Sequence, residues 1–353
     1  MLKNQHLALY RKYRPETFGD VAGQEQAVSL LSNSIKQKKI SHAYIFCGSK
    51  GTGKTTVARI VARDIGCNPE DIIEIDAASN RGIDEIRELR EAVRTSPFSS
   101  PYKIYIIDEA HMLTKEAANA LLKTLEEPPS HVVFILATTD PDKLPQTIIS
   151  RCQKIVFKQP DIKTLSERLI FVADREGYKL SNDSAELIAR HSKESYRDGL
   201  GILEQVLSIG DKTIKHPDVI EMLGTPGKEL LVSLIETVCT KNIKELTGII
   251  NKLESGNSRA IRTYDEFIEL VRQALLIRIG LHAQAGVEDK QEGVPRVAYS
   301  QSGGDLSRIA TTYPTVIGSK MVLELLEKRH LLEVSDAHAW TAFIAILLGL
   351  TSL

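Results

Sequence analysis

Residues Gly48-Ser-Lys-Gly-Thr-Gly-Lys-Thr55 have the spacing G-x-x-x-x-G-K-T and directly follow an apolar run, Ala43–Phe46. Such a segment can cradle phosphate. Its glycines let backbone N–H groups turn inward, and the N-terminus of the following helix adds partial positive charge. Lys54 would reach the β- and γ-phosphates of a nucleoside triphosphate, and the Thr55 hydroxyl would ligate Mg²⁺. Gly48, Ser49, Lys50, Gly51, Thr52, Gly53, Lys54, Thr55 and Thr56 are therefore candidate phosphate-binding residues. The plain alternative is a glycine-rich turn that happens to precede Lys-Thr. The β-type run before it and the helical spacing of Thr55–Arg63 after it argue for the functional motif. A second constellation, Ile104-Tyr-Ile-Ile-Asp108-Glu109, ends an apolar run in two carboxylates. Beside a phosphate loop, Asp108 would hold Mg²⁺ directly or through water, and Glu109 would polarise an attacking water.

Three further residues are ambiguous by type alone. Thr139, in Leu136-Ala-Thr-Thr139, ends the next β-type run and could hydrogen-bond a phosphate or the water, but a threonine there is commonplace. Arg151, in Ser150-Arg-Cys152, suits bidentate phosphate recognition and equally well a surface ion pair. Arg197 opens a helix, where a cation opposes the helix dipole and a bound phosphate would justify it.

These residues need a scaffold, and the surrounding pattern supplies one. Short β-rich runs at Ala43–Phe46, Ile72–Asp76, Lys103–Asp108, His131–Thr138 and Ile155–Phe157, three of them nearly continuously apolar, alternate with helical patterns near 54–65, 82–95 and 115–126. This alternation predicts a doubly wound parallel sheet with its ligand at the carboxyl ends of the strands. After Pro160 the β signal stops, and Ile162, Leu165, Leu169 and Val172 share one helical face. Helical patterns continue over 183–191 and 197–209, and the turn signals of Leu223-Gly-Thr-Pro-Gly227 end this region. From about 228 the chain reads as helical again, with a mobile loop expected at about 284–306. The apolar stretch Ala337–Leu353 reads as a buried helix rather than a membrane span.

The 353 residues carry a net charge of −1, so any polyanion contact must come from local patches rather than a global field. Cys47, Cys67, Cys152 and Cys239 lack C-x-x-C spacing, which argues against a disulfide framework or zinc site and suits a reducing cytoplasm. The N-terminal residues show no apolar signal-peptide core.

Taken together, the motifs resemble the AAA+ ATPases, and specifically the bacterial clamp-loader ATPases of the DNA polymerase III gamma/tau family. The matching strings are Arg11-Lys-Tyr-Arg-Pro15-Glu-Thr-Phe-Gly-Asp-Val-Ala-Gly-Gln24, His42-Ala-Tyr-Ile-Phe46, Ile75-Asp-Ala-Ala-Ser79, Asn119-Ala-Leu-Leu-Lys-Thr-Leu-Glu-Glu-Pro-Pro129 and Ala137-Thr-Thr-Asp-Pro141, with Ser150-Arg-Cys152. The resemblance implies a P-loop NTPase (AAA+) α/β domain with a five-stranded parallel sheet over 1–160. A three-helix, all-α lid at 161–225 and an all-α collar that holds subunits together at 226–353 would follow. It makes Thr139 the sensor 1 residue and Arg197 the sensor 2 residue. Arg151 becomes an arginine finger that completes a neighbouring subunit's site. Tyr10, Arg14, Pro15 and Val21 would enclose the base.

The implied function is an ATP-hydrolysing, Mg²⁺-dependent motor that loads a sliding clamp onto primer–template DNA. It would work beside delta-type and delta-prime-type subunits and further gamma/tau copies. DNA polymerisation would belong to the holoenzyme and not to this chain. DNA contact is expected from Arg87, and also from Lys123 and Thr147. Arg87, Arg90 and Arg94 share a helical face, but Asp84, Glu88 and Glu91 interleave with them and could pair them off instead. One departure is large. The family's four-cysteine zinc module has only Cys67 to represent it here, so no zinc is expected. Domains of the long tau form are also missing from the resemblance. The rival readings are a branch-migration or helicase motor on the same core, and a structural clamp-loader subunit that does not hydrolyse ATP.

Overall fold

A computed structural model of the chain describes residues 7–79, 82–224, 226–256, 258–280, 302–314 and 316–351, excepting the side chains of 83–85, 87, 90, 228, 302–304, 336 and 337. The chain divides into two compact units, Met1–His216 and Pro217–Leu353.

In the first unit, α1 (Leu9–Lys12) and α2 (Glu25–Lys36) precede β1 (Ala43–Cys47), α3 (Lys54–Asp64), β2 (Ile72–Asp76), α4 (Ile83–Val93) and β3 (Lys103–Asp108). Then come α5 (Lys115–Glu126), β4 (Val132–Thr138), α6 (Gln146–Ile149) and β5 (Gln153–Val156). The five strands form one parallel sheet in the order β2-β3-β4-β1-β5. Every residue of β1 and β4 is buried, whereas the edge strands β2 and β5 are partly open. Central parallel strands are covered on both faces, so a continuous apolar run is what their sequence requires.

Alternation along each strand sorts the side chains into two cores. Ile45, Tyr105, Ile107, Phe134 and Leu136 pack with Leu89 of α4 and Leu121 of α5. Tyr44, Phe46, Ile104, Ile106 and Ile135 pack with Leu31 of α2 and Val57 and Val61 of α3. The carboxyl ends of β3, β4 and β1 stand side by side, and Asp108 and Glu109, Thr139 and the 48–56 segment end or directly follow these three strands.

The first unit continues with α7 (Ile162–Arg175), β6 (Lys179–Leu180), α8 (Asn182–His191), α9 (Tyr196–Leu207) and β7 (Thr213–Ile214). Each of these helices starts on a side-chain cap. Asp161 accepts from Thr164 N (2.6 Å), Ser181 from Ser184 N (3.3 Å) and Ser195 from Asp198 N (3.3 Å). The parallel pairing of β6 with β7 departs from a purely helical region. Two-residue strands are too short to produce a readable alternation.

The second unit is helical. After α10 (His216–Leu223), which straddles the division, come α11 (Lys228–Thr240), α12 (Ile243–Ser255), α13 (Ala260–Arg278), α14 (Ser302–Thr312), α15 (Ser319–Lys328) and α16 (Asp336–Thr351). Residues 302–306 of the expected loop belong to α14, and residues 281–301 lie outside the described part of the chain. Gly303 and Gly304 disguised this helix start, because glycine is a poor helix former. The expected buried C-terminal helix is α16: Trp340, Phe343 and Leu347 join Tyr264 and Phe267 of α13 in one core, with Tyr264 and Phe343 edge-to-face at 5.1 Å. Among the described residues no helix is long and apolar enough to cross a membrane.

Between α3 and β2 the short link is stitched to the loop before β3. The buried Cys67 thiol donates to the carbonyls of Asp71 (3.4 Å) and Tyr102 (3.2 Å), and Asn68 N–H donates to Ser100 Oγ (2.7 Å). The buried Asp71 carboxylate accepts from the N–H groups of Phe98 (2.6 Å) and Ser99 (3.0 Å). Burial alone would raise its pKa, but these donors outweigh burial and hold the carboxyl below its ordinary range. Asp71→Ala should lower the unfolding free energy at pH 7 by about 1–3 kcal/mol. Because the folded pKa is depressed, this contribution is complete above the unfolded value of about 3.9 and is lost as pH falls through the folded one. Urea unfolding at a series of pH values should therefore show wild type and variant converging in acid. Equal stability at pH 7 would refute the role.

Candidate functional site

The 48–55 loop is held from two sides. Gly53 (φ 99°) caps α3 in a left-handed conformation, and the first-turn N–H groups of that helix have no intrahelical acceptor. Gly51 (φ 76°) lies against the start of α9, where a Cβ would stand 2.1 Å from Ser195 Oγ. The Tyr196 N–H donates to the Gly51 carbonyl (3.2 Å), and its hydroxyl donates to the Ala22 carbonyl (2.9 Å). From the other side, the buried Gln24 amide donates to Lys158 O (2.7 Å) and Thr52 O (3.5 Å) and accepts from Lys158 N (3.1 Å). Lys54 is buried, and its Nζ donates to the carbonyls of Gly48 and Ser49, both at 2.8 Å. Burial lowers its pKa, while the nearby Glu109 and Asp108 pull it back up.

Strand β3 delivers the acidic half. Thr55 Oγ1 donates to Asp108 Oδ2 at 2.8 Å, so the two residues expected to share a metal touch each other. Two small oxygen donors beside a phosphate-shaped loop suit a hard, oxygen-seeking divalent cation such as Mg²⁺. Glu109 takes a left-handed backbone (φ 48°, ψ 43°) at the turn out of β3, and its N–H donates to Asp108 Oδ1 (3.1 Å). Its Oε2 accepts from Thr139 Oγ1 (3.1 Å) and lies 3.4 Å from His111 Nδ1.

A cleft enclosing about 960 Å³ of solvent-open space gathers these groups. Its lining brings Lys50–Thr56, Asp108 and Glu109 together with Tyr10, Arg14, Pro15, Val21 and Arg197. Arg14, Lys50, Lys54, Arg168 and Arg197 set five cationic side chains against the carboxylates of Asp20, Asp108 and Glu109, which favours an anionic ligand. Burial, then the nearby Arg59 guanidinium, lowers the Arg14 pKa, and the Glu74 carboxylate offsets this only in part. The Arg197 guanidinium stands 5.8 Å from the centre of the Tyr10 ring.

Gly48 and Ser49 are outside the lining and act on it through Lys54, as Thr139 does through Glu109. Arg151 also stands outside. Its guanidinium donates to Glu126 Oε1 (2.6 Å) and the Thr147 carbonyl (2.7 Å). Lys123 on α5 and Thr147 on α6 are exposed and outside the cleft, and Arg94 is exposed at the end of α4. The side chains of Arg87 and Arg90 lie outside the described residues.

Sequence reasoning missed Arg168 and Tyr196, which complete the wall beside Tyr13. Arg168 Nη2 donates to the Tyr13 carbonyl (2.7 Å), and burial pushes the Tyr196 hydroxyl up to about 12. The one available signal was a charged residue directly beside the buried Leu165 and Leu169 stripe of α7.

A family model described as DNA polymerase III, delta subunit, matches residues 23–79 and 67–161. The tau subunit of DNA polymerase III from Bacillus subtilis is 39% identical over 292 residues, covering 77% of this chain and 52% of that protein. The gamma subunit from Buchnera aphidicola (subspecies Acyrthosiphon pisum) is 37% identical over 273 residues, covering 70% of this chain and 74% of that protein. The gamma subunit from the subspecies Baizongia pistaciae is 34% identical and covered to 80%. The chain thus spans about half the length of the tau-type relatives and most of the gamma-type ones. Among solved structures, the Thermotoga maritima RuvB Holliday junction branch migration motor superposes with a TM-score of 0.51 at 20% identity, covering 69% of this chain and 85% of that one. That likeness establishes the shared AAA+ fold alone.

Gly51 and Gly53 separate crowding from conformation. An alanine Cβ at Gly53 would meet nothing within 4 Å, so Gly53→Ala should lose only the left-handed penalty of about 1–2 kcal/mol. Gly51→Ala adds a collision with Ser195 and should lose more, by about 1–3 kcal/mol. Chemical denaturation of both variants tests this, and the opposite ranking would show that α9 yields freely.

Proposed function

The chain belongs to the family of DNA polymerase III gamma and tau subunits, and from that premise we propose that it is an ATP-hydrolysing motor of a clamp loader. The observation that carries the reading is the Thr55–Asp108 hydrogen bond at 2.8 Å beside the buried Lys54, because it joins the loop after β1 to the acidic end of β3. We assign Gly48–Thr56 to the phosphates, with Lys54 as their principal cation, and Tyr10, Arg14, Pro15 and Val21 to the base. Thr55 and Asp108 would hold Mg²⁺, which when bound neutralises charge on the phosphates. Glu109 accepts a proton from the attacking water, Thr139 steadies it, and Arg197 senses the terminal phosphate from α9.

Arg151 fits none of these tasks within its own chain, since its guanidinium rests on Glu126 and Thr147 outside the cleft. An arginine finger acting on a neighbouring subunit gives it one, and such residues contribute about 10³–10⁵ in rate in related phosphoryl transfer. The lid is residues 161–225 and the collar 226–353 in this reading. The partners are delta-type and delta-prime-type subunits, further gamma/tau copies, a sliding clamp and primer–template DNA in the cytoplasm. Arg87, Lys123 and Thr147 are the proposed DNA contacts.

Steady-state ATPase assays of the chain, with and without partner subunits, clamp and primed DNA, test the proposal. Lys54→Ala should abolish nucleotide binding, and chelation of divalent cations should stop turnover in wild type. Arg151→Ala should bind nucleotide normally yet lose stimulation, and adding subunits with an intact Arg151 should restore it. Persistent stimulation in Arg151→Ala would remove the finger assignment. A hexamer formed by this chain alone would favour a branch-migration type of motor instead.

A further inference from the structure

Glu109 is gripped by more than Thr139. Its Oε2 accepts from Thr139 Oγ1 at 3.1 Å and faces His111 Nδ1 at 3.4 Å, while Oε1 takes no hydrogen bond among the described residues. His111 belongs to the short 3₁₀ turn Ala110–Met112 that follows Glu109, and its side chain is only 11% exposed. The same Nδ1 lies 3.1 Å from Oγ1 of the fully buried Thr138, which already accepts from Asp140 N–H (3.1 Å).

The carboxylate favours one tautomer. An unprotonated Nδ1 could accept from the Thr138 hydroxyl, but its lone pair would then also face the Glu109 carboxylate oxygen at 3.4 Å. With the proton on Nδ1, the ring donates at once to Thr138 Oγ1 and toward Glu109 Oε2. The carboxylate then has two donors on one oxygen and none on the other. That arrangement fixes the carboxylate plane and leaves Oε1 as the free proton acceptor. The turn that carries Glu109 is left-handed at a non-glycine residue, so the backbone alone gives it no conformational rest.

We propose that His111 is a positioning residue for Glu109, anchored on Thr138 and holding Oε2 so that Oε1 alone meets the attacking water. The inference rests on the ATPase reading above. It makes the two consecutive threonines at the end of β4 work as a pair: Thr139 grips the carboxylate directly and Thr138 seats the histidine that grips it from the other side. His111 itself touches no phosphate.

The test compares His111→Phe, His111→Ala and His111→Asn in the full chain, assayed alone and with clamp-loader partners and primed DNA. Phenylalanine keeps the ring and removes the donor, and asparagine restores an N–H donor at the same δ position without the ring. The phenylalanine and alanine variants should lose about 10- to 100-fold in kcat, the order expected for one hydrogen bond to a charged group. Their KM and their affinity for a fluorescent ATP analogue should stay within about twofold, because only the catalytic carboxylate is disturbed. His111→Asn should recover most of kcat. A His111→Phe variant with wild-type kcat would overturn the inference. So would a parallel decline of kcat, affinity and melting temperature in all three variants, which would mark His111 as a packing residue. A wild-type chain that binds the analogue but hydrolyses nothing under any of these conditions would overturn the ATPase reading itself, and this inference with it.

Discussion

The Gly51 carbonyl accepts a hydrogen bond from the first residue of α9, and that contact sets the terms for the rest of the site. It is possible only because residue 51 has no side chain, since a Cβ would fall within 2.1 Å of Ser195 Oγ. The phosphate loop is thereby tied to the helix that carries Arg197, and Tyr196 extends the tie to Ala22 in the N-terminal segment. Gln24 makes an equivalent link to Lys158, just past β5. A loop bonded on both flanks to elements distant in sequence cannot shift without moving them. Any ligand that displaces it by a fraction of an ångström is felt at α9 and at the exit from the sheet.

The sheet makes this linkage rigid. Strands β1 and β4 are buried throughout, so the carboxyl ends of β3, β4 and β1 are fixed relative to one another by close packing. Asp108 and Glu109, the Thr138–Thr139 pair and the 48–55 loop leave those three ends, and single hydrogen bonds join Thr55 to Asp108 and Thr139 to Glu109. Adjacent strands supply these short polar groups. The acidic half of the site is therefore preorganised by backbone, while the basic half reaches in on the longer side chains of Arg14, Lys54, Arg168 and Arg197.

The scaffold was legible in the sequence because its signals are local. A buried parallel strand must be apolar throughout, as β1 and β4 are, and all five strands were visible as β-type runs within a residue or two of their ends. The loop was legible for a similar reason, since its glycines, lysine and threonine are consecutive. Less legible were features that depend on distant partners. Arg168 and Tyr196 join the cleft only because α7 and α9 fold back beside the N-terminal segment. His111 gains its significance from Thr138, a residue on another strand. The β6–β7 pairing is two residues long, and α14 begins in a Ser-Gly-Gly sequence that favours a loop on local propensity alone. Arg151 is a different case: the sequence could flag it as a phosphate-type arginine, but its guanidinium rests on Glu126, Thr147 and Ser150 and lies outside the cleft.

The buried Lys54 ammonium gives the site a threshold. It donates to the Gly48 and Ser49 carbonyls, so the loop supplies its own substitute acceptors for the charge that an anionic ligand would claim. Hydrogen bonds from a charged group are worth about 1.5–3 kcal/mol each, and every ~1.4 kcal/mol surrendered on binding weakens the dissociation constant tenfold. The loop is thus an internal competitor for its own lysine. A monoanion that offers only one oxygen gains little by exchange, whereas a polyphosphate that replaces both carbonyls and reaches the first-turn N–H groups of α3 gains a great deal. Discrimination against small anions is therefore built into the loop itself, before any contact with a base or a neighbouring subunit comes into play.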